Sequence, residues 1–213
     1  MNVKPVQNTL DKRRIRGKES RKLILQAAVD SIATLGLGKL TLDRVAERVG
    51  ISRGLVVFHF KTKDNLIEEV LAYLGEQYSG GWNLILEAAA ESDMSKLLRL
   101  IDYDIGFACD NPTFVSAWHA FWGELKGSDM YQEHVGQRDL GYANDYELLL
   151  QKISGDGRYN KQELSLVTRG LFMMMFGAWV QVHLNPGPDD YEVNTKAVRL
   201  FLRGVFPETE IPY

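Results

Sequence analysis

Residues 41–63 constrain the fold of this chain more than any other part of its sequence. They read TLDRVAERVGISRGLVVFHFKTK. The first half predicts a short amphipathic helix, because its apolar residues recur at helical spacing: Leu42, Val45, Ala46 and Val49. Gly50 can end that helix in the left-handed conformation, and Ser52 is a suitable N-cap for a second short helix. Two short helices joined in this way predict a helix-turn-helix, whose second helix enters the major groove of DNA.

The charge of the chain is unevenly distributed. The formal net charge is only −3, but residues 1–66 carry 14 basic and 6 acidic side chains, whereas the remainder carries 11 basic and 22 acidic ones. A basic N-terminal part suits a surface that binds a polyanion. Chance clustering on a solvated face is the alternative, and it is disfavoured because the basic part coincides with the helix-turn-helix pattern.

Cysteine content and hydropathy bear on the compartment. The single cysteine, Cys109, has no partner for an internal disulfide. No uninterrupted apolar run reaches the roughly 20 residues of a membrane span, and the N-terminus is polar and basic, unlike a secretory signal. We therefore expect a cytoplasmic protein without a membrane partner.

The pattern of apolar residues and breakers predicts an all-α fold of about nine helices, with no strand alternation. Residues 1–17 are interpreted as a flexible basic arm, residues 18–64 as a three-helix DNA-binding head, and residues 65–213 as a helical body for ligand binding and dimerisation. A long helix is predicted from Lys63 towards Ala90, in which Gly80 and Gly81 introduce a bend or a loose point. Later helices are predicted at about 94–109, 112–125, 129–153, 161–184 and 190–204.

The candidate DNA-binding residues flank and form the second helix of the motif. Arg53 lies at its N-terminal end, where it can pair with guanine O6 and N7 or hold a phosphate. Gly54 permits close approach of the backbone, and Phe58 and Phe60 are assigned to the core. The complete set is Thr41, Arg44, Ser52, Arg53, Gly54, Leu55, Val57, His59, Lys61 and Lys63.

Residues 18–66 resemble the N-terminal domain of TetR-family transcriptional regulators. The resemblance is carried by Leu42-x-x-Val45-Ala46-x-x-Val49-Gly50-Ile51-Ser52-Arg53-Gly54, followed by His59-Phe60-Lys61-x-Lys63-x-x-Leu66. One departure is Val57, where the family often has tyrosine, so a frequent DNA contact is absent or replaced by apolar contact with a thymine methyl group. The resemblance implies a homodimer that binds a palindromic operator on double-stranded DNA.

An aromatic segment, NPTFVSAWHAFWGE, occupies residues 111–124. Two interpretations are open: ordinary core packing, and an aromatic box for a cationic ligand held by cation–π contact and a carboxylate. Charge balance would come from Glu124, or from Asp102, Asp104 or Asp110. The segment resembles the matching region of choline-responsive, BetI-like repressors, which implies choline or a related compound as the small-molecule effector. The candidate ligand-binding residues are Tyr103, Trp118, Phe121, Trp122, Glu124 and Trp179.

Residues 164–184 read LSLVTRGLFMMMFGAWVQVHL and are apolar nearly all round. Such a helix must be covered on two sides. The resemblance to the TetR family implies that this helix and the last one form a four-helix dimer bundle. Trp179 is assigned to either the ligand site or the dimer interface.

The sequence offers no pattern typical of an enzyme. The four histidines show no metal-binding spacing such as H-E-x-x-H, Cys109 has no nucleophile signature, and residues 155–158 lack the ligand spacing of a calcium loop. We expect no metal and no cofactor. The alternatives that remain are a related regulator of efflux or catabolism that senses a different lipophilic ligand, and a structural DNA-binding protein without a ligand.

Overall fold

The computed structural model describes residues 6–125, 129, 132, 137–155 and 158–212, with backbone alone for residues 6–16, 125 and 137–139. Within these ranges the chain forms nine α-helices and one 3-10 turn (Leu37–Lys39), without a strand, which confirms the all-α prediction. The helices are α1 (Val6–Leu35), α2 (Leu42–Val49), α3 (Arg53–Phe60), α4 (Lys63–Leu86), α5 (Asp93–Asp110), α6 (Pro112–Leu125), α7 (Gln137–Ser154), α8 (Lys161–Leu184) and α9 (Asp190–Val205).

The helix bounds follow the predicted ones closely, with differences at two ends. Helix α1 begins at Val6, inside the stretch assigned to the basic arm, and residues 1–5 lie outside the described residues. Helix α4 ends at Leu86, about one turn before the predicted position. Most of residues 129–136, at the start of a predicted helix, also lie outside the described ranges, as do two residues of the turn predicted at 155–158.

The described residues divide into two compact units. The first contains the residues up to Tyr73 together with residues 116–125, and the second contains Leu74–Val115 with the described residues from 129 onward. Helices α4 and α6 each contribute to both units. The division on α4 follows Tyr73, nine residues beyond the boundary predicted at residue 64, and the C-terminal part of α6 belongs with the N-terminal helices.

The first unit has its own apolar core. Its fully buried side chains come from every helix of the unit: Ile24, Ala28, Ile32, Leu40, Val45, Val56, Phe60, Leu66, Val70, Ala117 and Phe121. The residues of α1 recur at intervals of four, so they form one stripe. This core fixes the position of the short helix α3, which is too short to be stable alone.

Within the second unit, a side chain of α5 packs closely against α4 at Gly81. A Cβ atom on Gly81 would lie 2.3 Å from Cε2 of Tyr103, which is closer than real contacts allow. The Tyr103 hydroxyl donates a hydrogen bond to the Tyr78 carbonyl, 2.5 Å away. Gly81 therefore admits the Tyr103 ring against α4, which continues through both glycines to Leu86.

Helix α8 is apolar on two sides, as predicted. One face is buried against α5, α7 and α9, and the other face is exposed to solvent. Its N-terminus has a reciprocal capping box, in which Asn160 and Glu163 each accept the other's backbone amide hydrogen. By length and mean hydropathy alone, α8 is also long and apolar enough to cross a membrane, although its apolar residues do not form one uninterrupted run.

Candidate functional site

The turn between α2 and α3 has the local geometry of a helix-turn-helix. Gly50 adopts the left-handed conformation (φ 74°) and its amide closes the end of α2 on the carbonyls of Ala46 and Glu47. The Ser52 hydroxyl accepts a hydrogen bond from the Leu55 amide at 3.3 Å and so caps α3. Both features were predicted from residue type. Together they end one helix and begin the next, in a new direction, within three residues.

Helix α3 has one buried and one exposed face. Val56 and Phe60, one turn apart, are buried in the core of the first unit. Arg53 and Gly54 are exposed at the N-terminal end of α3. Among the other candidates on this helix, Leu55, Val57 and His59 are half-buried. The arrangement presents the N-terminal turn of α3 to an external partner.

The assignment of Phe58 to the core is wrong. Its side chain is 68% exposed, whereas that of Phe60 is 2% exposed. The physical reason is helical phase, because side chains two positions apart on a helix point about 200° apart, and Phe60 already occupies the inward position. The ammonium group of Lys61 lies 5.4 Å from the Phe58 ring centroid, so a cation covers part of this exposed ring.

Arg53 is not free in this structure. Its Nε lies 3.1 Å from Oδ1 of Asp43 on α2, and both side chains are more than half exposed. An exposed ion pair of this kind contributes at most about 1 kcal/mol. Asp43 was not among the predicted DNA-binding residues, although it is the acidic residue in the first turn of α2.

Three further basic candidates surround the reading helix and bond to backbone carbonyls. The Lys61 ammonium donates to the Phe58 carbonyl at 3.0 Å, and the Lys63 ammonium donates to the Gly38 carbonyl at 3.4 Å. The Arg44 guanidinium donates to the Lys39 carbonyl at 2.6 Å. All three bonds are exposed, so these cations remain accessible to a phosphate.

Two hydroxyl candidates have structural roles as helix caps. The Thr41 side chain accepts a hydrogen bond from the Arg44 amide at 3.2 Å and so caps α2, in the same way that Ser52 caps α3.

The His59 ring contacts helix α1. Its Nε2 lies 2.9 Å from the Ser20 hydroxyl. Burial, followed by the charges of Arg21 and Lys61, lowers the pKa of His59, which favours its neutral form at neutral pH.

The six candidate ligand residues fall in different units. Trp118, Phe121, Trp122 and Glu124 belong to the first unit, and Tyr103 and Trp179 belong to the second. Phe121 is fully buried, which fits the core interpretation of the aromatic stripe. The Glu124 carboxylate accepts a hydrogen bond from the Gly38 amide at 3.2 Å, so it holds the loop between α1 and α2, a role the sequence did not reveal.

The second unit contains a different aromatic cluster, centred on Asp104. The Tyr78 hydroxyl and the Trp179 indole N–H both donate hydrogen bonds to Oδ1 of Asp104, at 2.8 and 2.7 Å. The Tyr78 ring makes edge contacts with Trp179 and with Tyr142, at centroid distances of 5.7 and 5.1 Å. We call this set, with Trp82, Phe107 and Tyr146, the Asp104 cluster.

The other carboxylates considered for charge balance are placed elsewhere. Asp102 forms a two-oxygen ion pair with the Arg199 guanidinium on α9, at 2.6 and 2.7 Å. Asp110 is exposed at the end of α5. Of the four carboxylates that the sequence left open for charge balance, Asp104 is thus the one that lies among aromatic rings.

Comparison with known proteins shows a family match in the N-terminal part of the chain and similar proteins over most of its length. Residues 24–70 match the model of bacterial regulatory proteins of the tetR family. The HTH-type transcriptional regulator BetI of Cronobacter sakazakii is 23% identical over 194 residues, which cover 88% of this chain and 93% of that protein. The BetI 1 protein of Chromohalobacter salexigens is 26% identical over 168 residues, which cover 78% of this chain and 80% of that protein.

Solved structures agree at the level of fold. A transcriptional regulator from Pseudomonas aeruginosa PAO1 superposes with a TM-score of 0.76 at 17% identity, covering 88% of this chain and 90% of that chain. A regulator from Saccharomonospora viridis, solved in complex with choline, superposes with a TM-score of 0.72 at 17% identity, covering 91% of this chain and 98% of that chain.

The helix-turn-helix geometry, the family match and the likeness to BetI proteins over most of the chain agree with one another. Residues 24–70 thus belong to the tetR family of bacterial regulatory proteins, and the chain over most of its length is similar to BetI transcriptional regulators.

Proposed function

We propose that the protein is a repressor that binds a palindromic operator as a homodimer and releases it when a small molecule binds. The observation that carries the proposal is α3, a short capped helix backed by Val56 and Phe60 and exposed at Arg53, Gly54 and Phe58. Such a helix fits a major groove about 12 Å wide.

Base contacts would concentrate at the N-terminal turn of α3. On binding DNA, Arg53 would exchange its ion pair with Asp43 for a contact with guanine or with a phosphate. Breaking the ion pair costs little free energy, because both side chains are exposed. Gly54 allows the backbone to approach the DNA, and the half-buried Leu55 and Val57 offer apolar contact to thymine methyl groups.

Phosphate contacts would come from residues around α3. The cationic side chains that now donate hydrogen bonds to exposed backbone carbonyls would donate to phosphate oxygens instead: Arg44, Lys61 and Lys63. Thr41 and Ser52 orient the amides of two helix N-termini, which attract anions. His59 contributes at the edge, where its contact with Ser20 fixes the ring. A basic arm at residues 1–17 would add further phosphate contacts.

The homodimer would form through α8 and α9. Both helices expose large apolar side chains, at positions about one or two turns apart, and we call this set the α8/α9 apolar face: Leu166, Met173, Phe176, Leu184, Val193 and Leu200. Exposed apolar side chains that cluster on a surface are typical of a protein–protein interface. A second copy of the same face would cover it in a two-fold arrangement, as the family implies.

The effector is a small molecule, and choline or a related quaternary ammonium is the candidate we favour. The S. viridis regulator, whose fold this chain shares, was solved in complex with choline. Of the six candidate ligand residues, Tyr103 and Trp179 lie where aromatic side chains concentrate in the second unit, and we retain these two. A different lipophilic effector is the second candidate, because the aromatic side chains of the unit also suit apolar ligands.

Release requires that the effector prefer one of two conformations of the dimer. The effector can change the free energy of DNA binding only by the difference between its own binding free energies for the two conformations. This difference is typically about 1–3 kcal/mol. Helix α4 contributes residues to both compact units, so it is the element through which we expect the change to pass. The protein would act in the cytoplasm, where both DNA and effector are present.

Fluorescence anisotropy on a duplex enriched from a random pool by the purified protein tests the proposal. We expect tight, salt-dependent binding that weakens by about tenfold or more at saturating choline. Binding that strengthens with choline would show a corepressor. Binding that is insensitive to choline and to all other small molecules would favour the structural DNA-binding protein.

A further inference from the structure

Phe58 is an exposed aromatic residue of α3 that packing within the chain does not explain. Val56 and Phe60 already anchor the helix in the core of the first unit, whereas the Phe58 side chain is 68% exposed. Single exposed apolar side chains are common on protein surfaces. Phe58 differs from an ordinary one because two neighbouring side chains hold its ring in place.

The first neighbour is Lys61, whose backbone is strained. Its φ of 65° is the only positive φ of a non-glycine residue in the described part of the chain. Such a conformation persists only where the surroundings enforce it, and it is often found at functional sites. Here it ends α3 and returns the Lys61 side chain to Phe58. The ammonium donates a hydrogen bond to the Phe58 carbonyl at 3.0 Å and lies 5.4 Å from the centroid of the ring.

The second neighbour is His59. Its ring meets the Phe58 ring edge to face, with centroids 5.3 Å apart. His59 is tied to α1 in turn, because its Nε2 lies 2.9 Å from the Ser20 hydroxyl. Two anchored neighbours thus restrict the orientation of the Phe58 ring, although most of its surface faces solvent. A ring that is already oriented loses little conformational entropy when it binds a partner.

Phe58 shares an exposed face of α3 with Gly54, which lies one turn earlier. Helical side chains lean towards the N-terminus of their helix, so the Phe58 ring extends towards Gly54. Gly54 has no side chain to cover the ring, and a Cβ there would have only the Ser52 hydroxyl within 4 Å. The ring therefore continues the open surface that Arg53 begins at the N-terminal end of α3.

The groups around this surface are cationic. Arg44, Lys61 and Lys63 surround α3, and their hydrogen bonds are exposed. An apolar ring among cations suits a polyanion that carries an apolar group, and it is unsuited to an apolar protein surface. In the major groove of DNA the apolar group is the C5 methyl of thymine. A phenyl ring cannot form hydrogen bonds with phosphates or with the polar edges of bases.

We propose that Phe58 is a specificity-determining residue that reads thymine. Its ring packs against the C5 methyl group of one thymine in each operator half-site, and Lys61 positions the ring for that contact. A base without this methyl group, such as uracil, leaves the ring partly exposed. The inference rests on the proposed operator binding, and it adds a base-reading residue outside the predicted DNA-binding set.

Anisotropy titrations with uracil-substituted duplexes test the assignment. The starting duplex is the one that the wild-type protein enriches from a random pool. Each thymine in turn is replaced by uracil, which removes only the methyl group. We expect at least one position in each half-site at which wild-type affinity falls by about fourfold, the factor that corresponds to burial of one carbon.

Phe58→Ala is the decisive variant. Because the ring is exposed, the fold should be retained, as circular dichroism would verify. The variant should bind more weakly than the wild type and should no longer distinguish thymine from uracil at one of the sensitive positions. Leu23→Ala, which removes an exposed apolar side chain from α1, is the matched control and should keep both the affinity and the preference.

Lys61→Gly tests the positioning role of the lysine. Glycine adopts a positive φ without strain, so the turn at the end of α3 should be retained. Without the ammonium the ring is held less firmly, and the preference for thymine at the Phe58 position should fall to about twofold. An undiminished preference in Lys61→Gly would remove this role from Lys61.

Three results would overturn the reading of thymine by Phe58 while leaving operator binding intact. They are a wild type that is insensitive to uracil at every position, a folded Phe58→Ala protein with unchanged DNA affinity, and a Phe58→Ala protein that keeps every uracil sensitivity of the wild type. The second result would leave the ring to a partner other than DNA. A wild type that enriches no duplex would instead remove the proposed function, and this assignment with it.

Discussion

Arg53 on α3 and Asp43 on α2 form an ion pair, with Nε and Oδ1 3.1 Å apart, across the turn of the helix-turn-helix. The pair holds the arginine at the N-terminal end of the reading helix in the absence of DNA. It also places a carboxylate beside the surface where phosphates would approach. Asp43 thus competes with DNA for Arg53, which gives the pair a measurable effect on affinity.

Asp43→Asn should strengthen DNA binding by about two- to fivefold, because it frees Arg53 and removes a negative charge near the phosphates. Arg53→Ala should weaken operator binding by about 1–3 kcal/mol, with a smaller loss on random duplex DNA. Anisotropy titrations with both duplexes at one salt concentration check these values. Unchanged DNA affinity in Asp43→Asn would show that the ion pair does not compete.

Phe58 and Phe60 provide a matched pair on one helix. Phe58→Ala should change the free energy of unfolding by less than about 0.5 kcal/mol, because the ring is exposed, but should weaken operator binding. Phe60→Ala should cost about 3–5 kcal/mol of stability, because it empties a core position. Urea denaturation measures the stabilities. A strong loss of stability in Phe58→Ala would contradict the exposed position.

The α8/α9 apolar face should determine the oligomeric state. A double change, Met173→Glu with Leu200→Glu, places charges on the face and should convert the dimer to a monomer, as seen by analytical ultracentrifugation. Leu84→Glu, at an exposed apolar position on α4, is the control and should remain dimeric. A double variant that stays dimeric would move the interface elsewhere.

Adjacent glycines of α4 should respond in opposite directions to alanine. Gly81→Ala should destabilise the protein, because the new Cβ would collide with the Tyr103 ring. Gly80→Ala should stabilise it by about 0.5–1 kcal/mol, since its Cβ would meet no atom within 4 Å and alanine favours the helix. Thermal unfolding of both variants checks the sign, and a stabilised Gly81→Ala would exclude the close packing described here.

Burial raises the pKa of Asp104, which has a consequence for stability. Because the carboxyl binds its proton more tightly in the folded chain (pKa about 6) than in the unfolded chain (3.8), its contribution to stability is complete below the lower value and is lost as pH rises through the higher one. The loss should reach about 2–3 kcal/mol above pH 7. Asp104→Asn should remove it, so the variant should gain stability relative to the wild type as pH rises from about 4 to 6.5. Urea denaturation across that range measures the difference, and a difference that stays constant would contradict the burial of an ionised Asp104.

The local features of the fold were predictable because they depend on neighbours in sequence. Helical spacing marked the core positions Val45 and Ala46, and residue type marked the caps at Gly50 and Ser52. The exposed side of α8 was also expected, because a helix that is apolar all round needs two partners.

The Asp104 cluster was not predictable in the same way, because it depends on tertiary packing. Tyr78 and Trp82 lie one turn apart on α4, and Tyr142 and Tyr146 lie one turn apart on α7. Such pairs indicate an aromatic face on each helix, but the sequence does not show that the two faces meet around one carboxylate. Four of the six predicted ligand residues came from the aromatic segment of α6, whereas Tyr103 and Trp179 lie in the second unit with the Asp104 cluster.

Selection of duplexes from a random pool, performed in parallel with wild type and Arg53→Ala, tests the central claim most directly. That claim is that α3 of two copies reads DNA in the major groove. The wild type should enrich an inverted repeat with half-sites about one helical turn or more apart, and Arg53→Ala should lose that enrichment while it still binds random DNA at low salt. Enrichment of no sequence by the wild type, or of the same sequence by Arg53→Ala, would contradict the account.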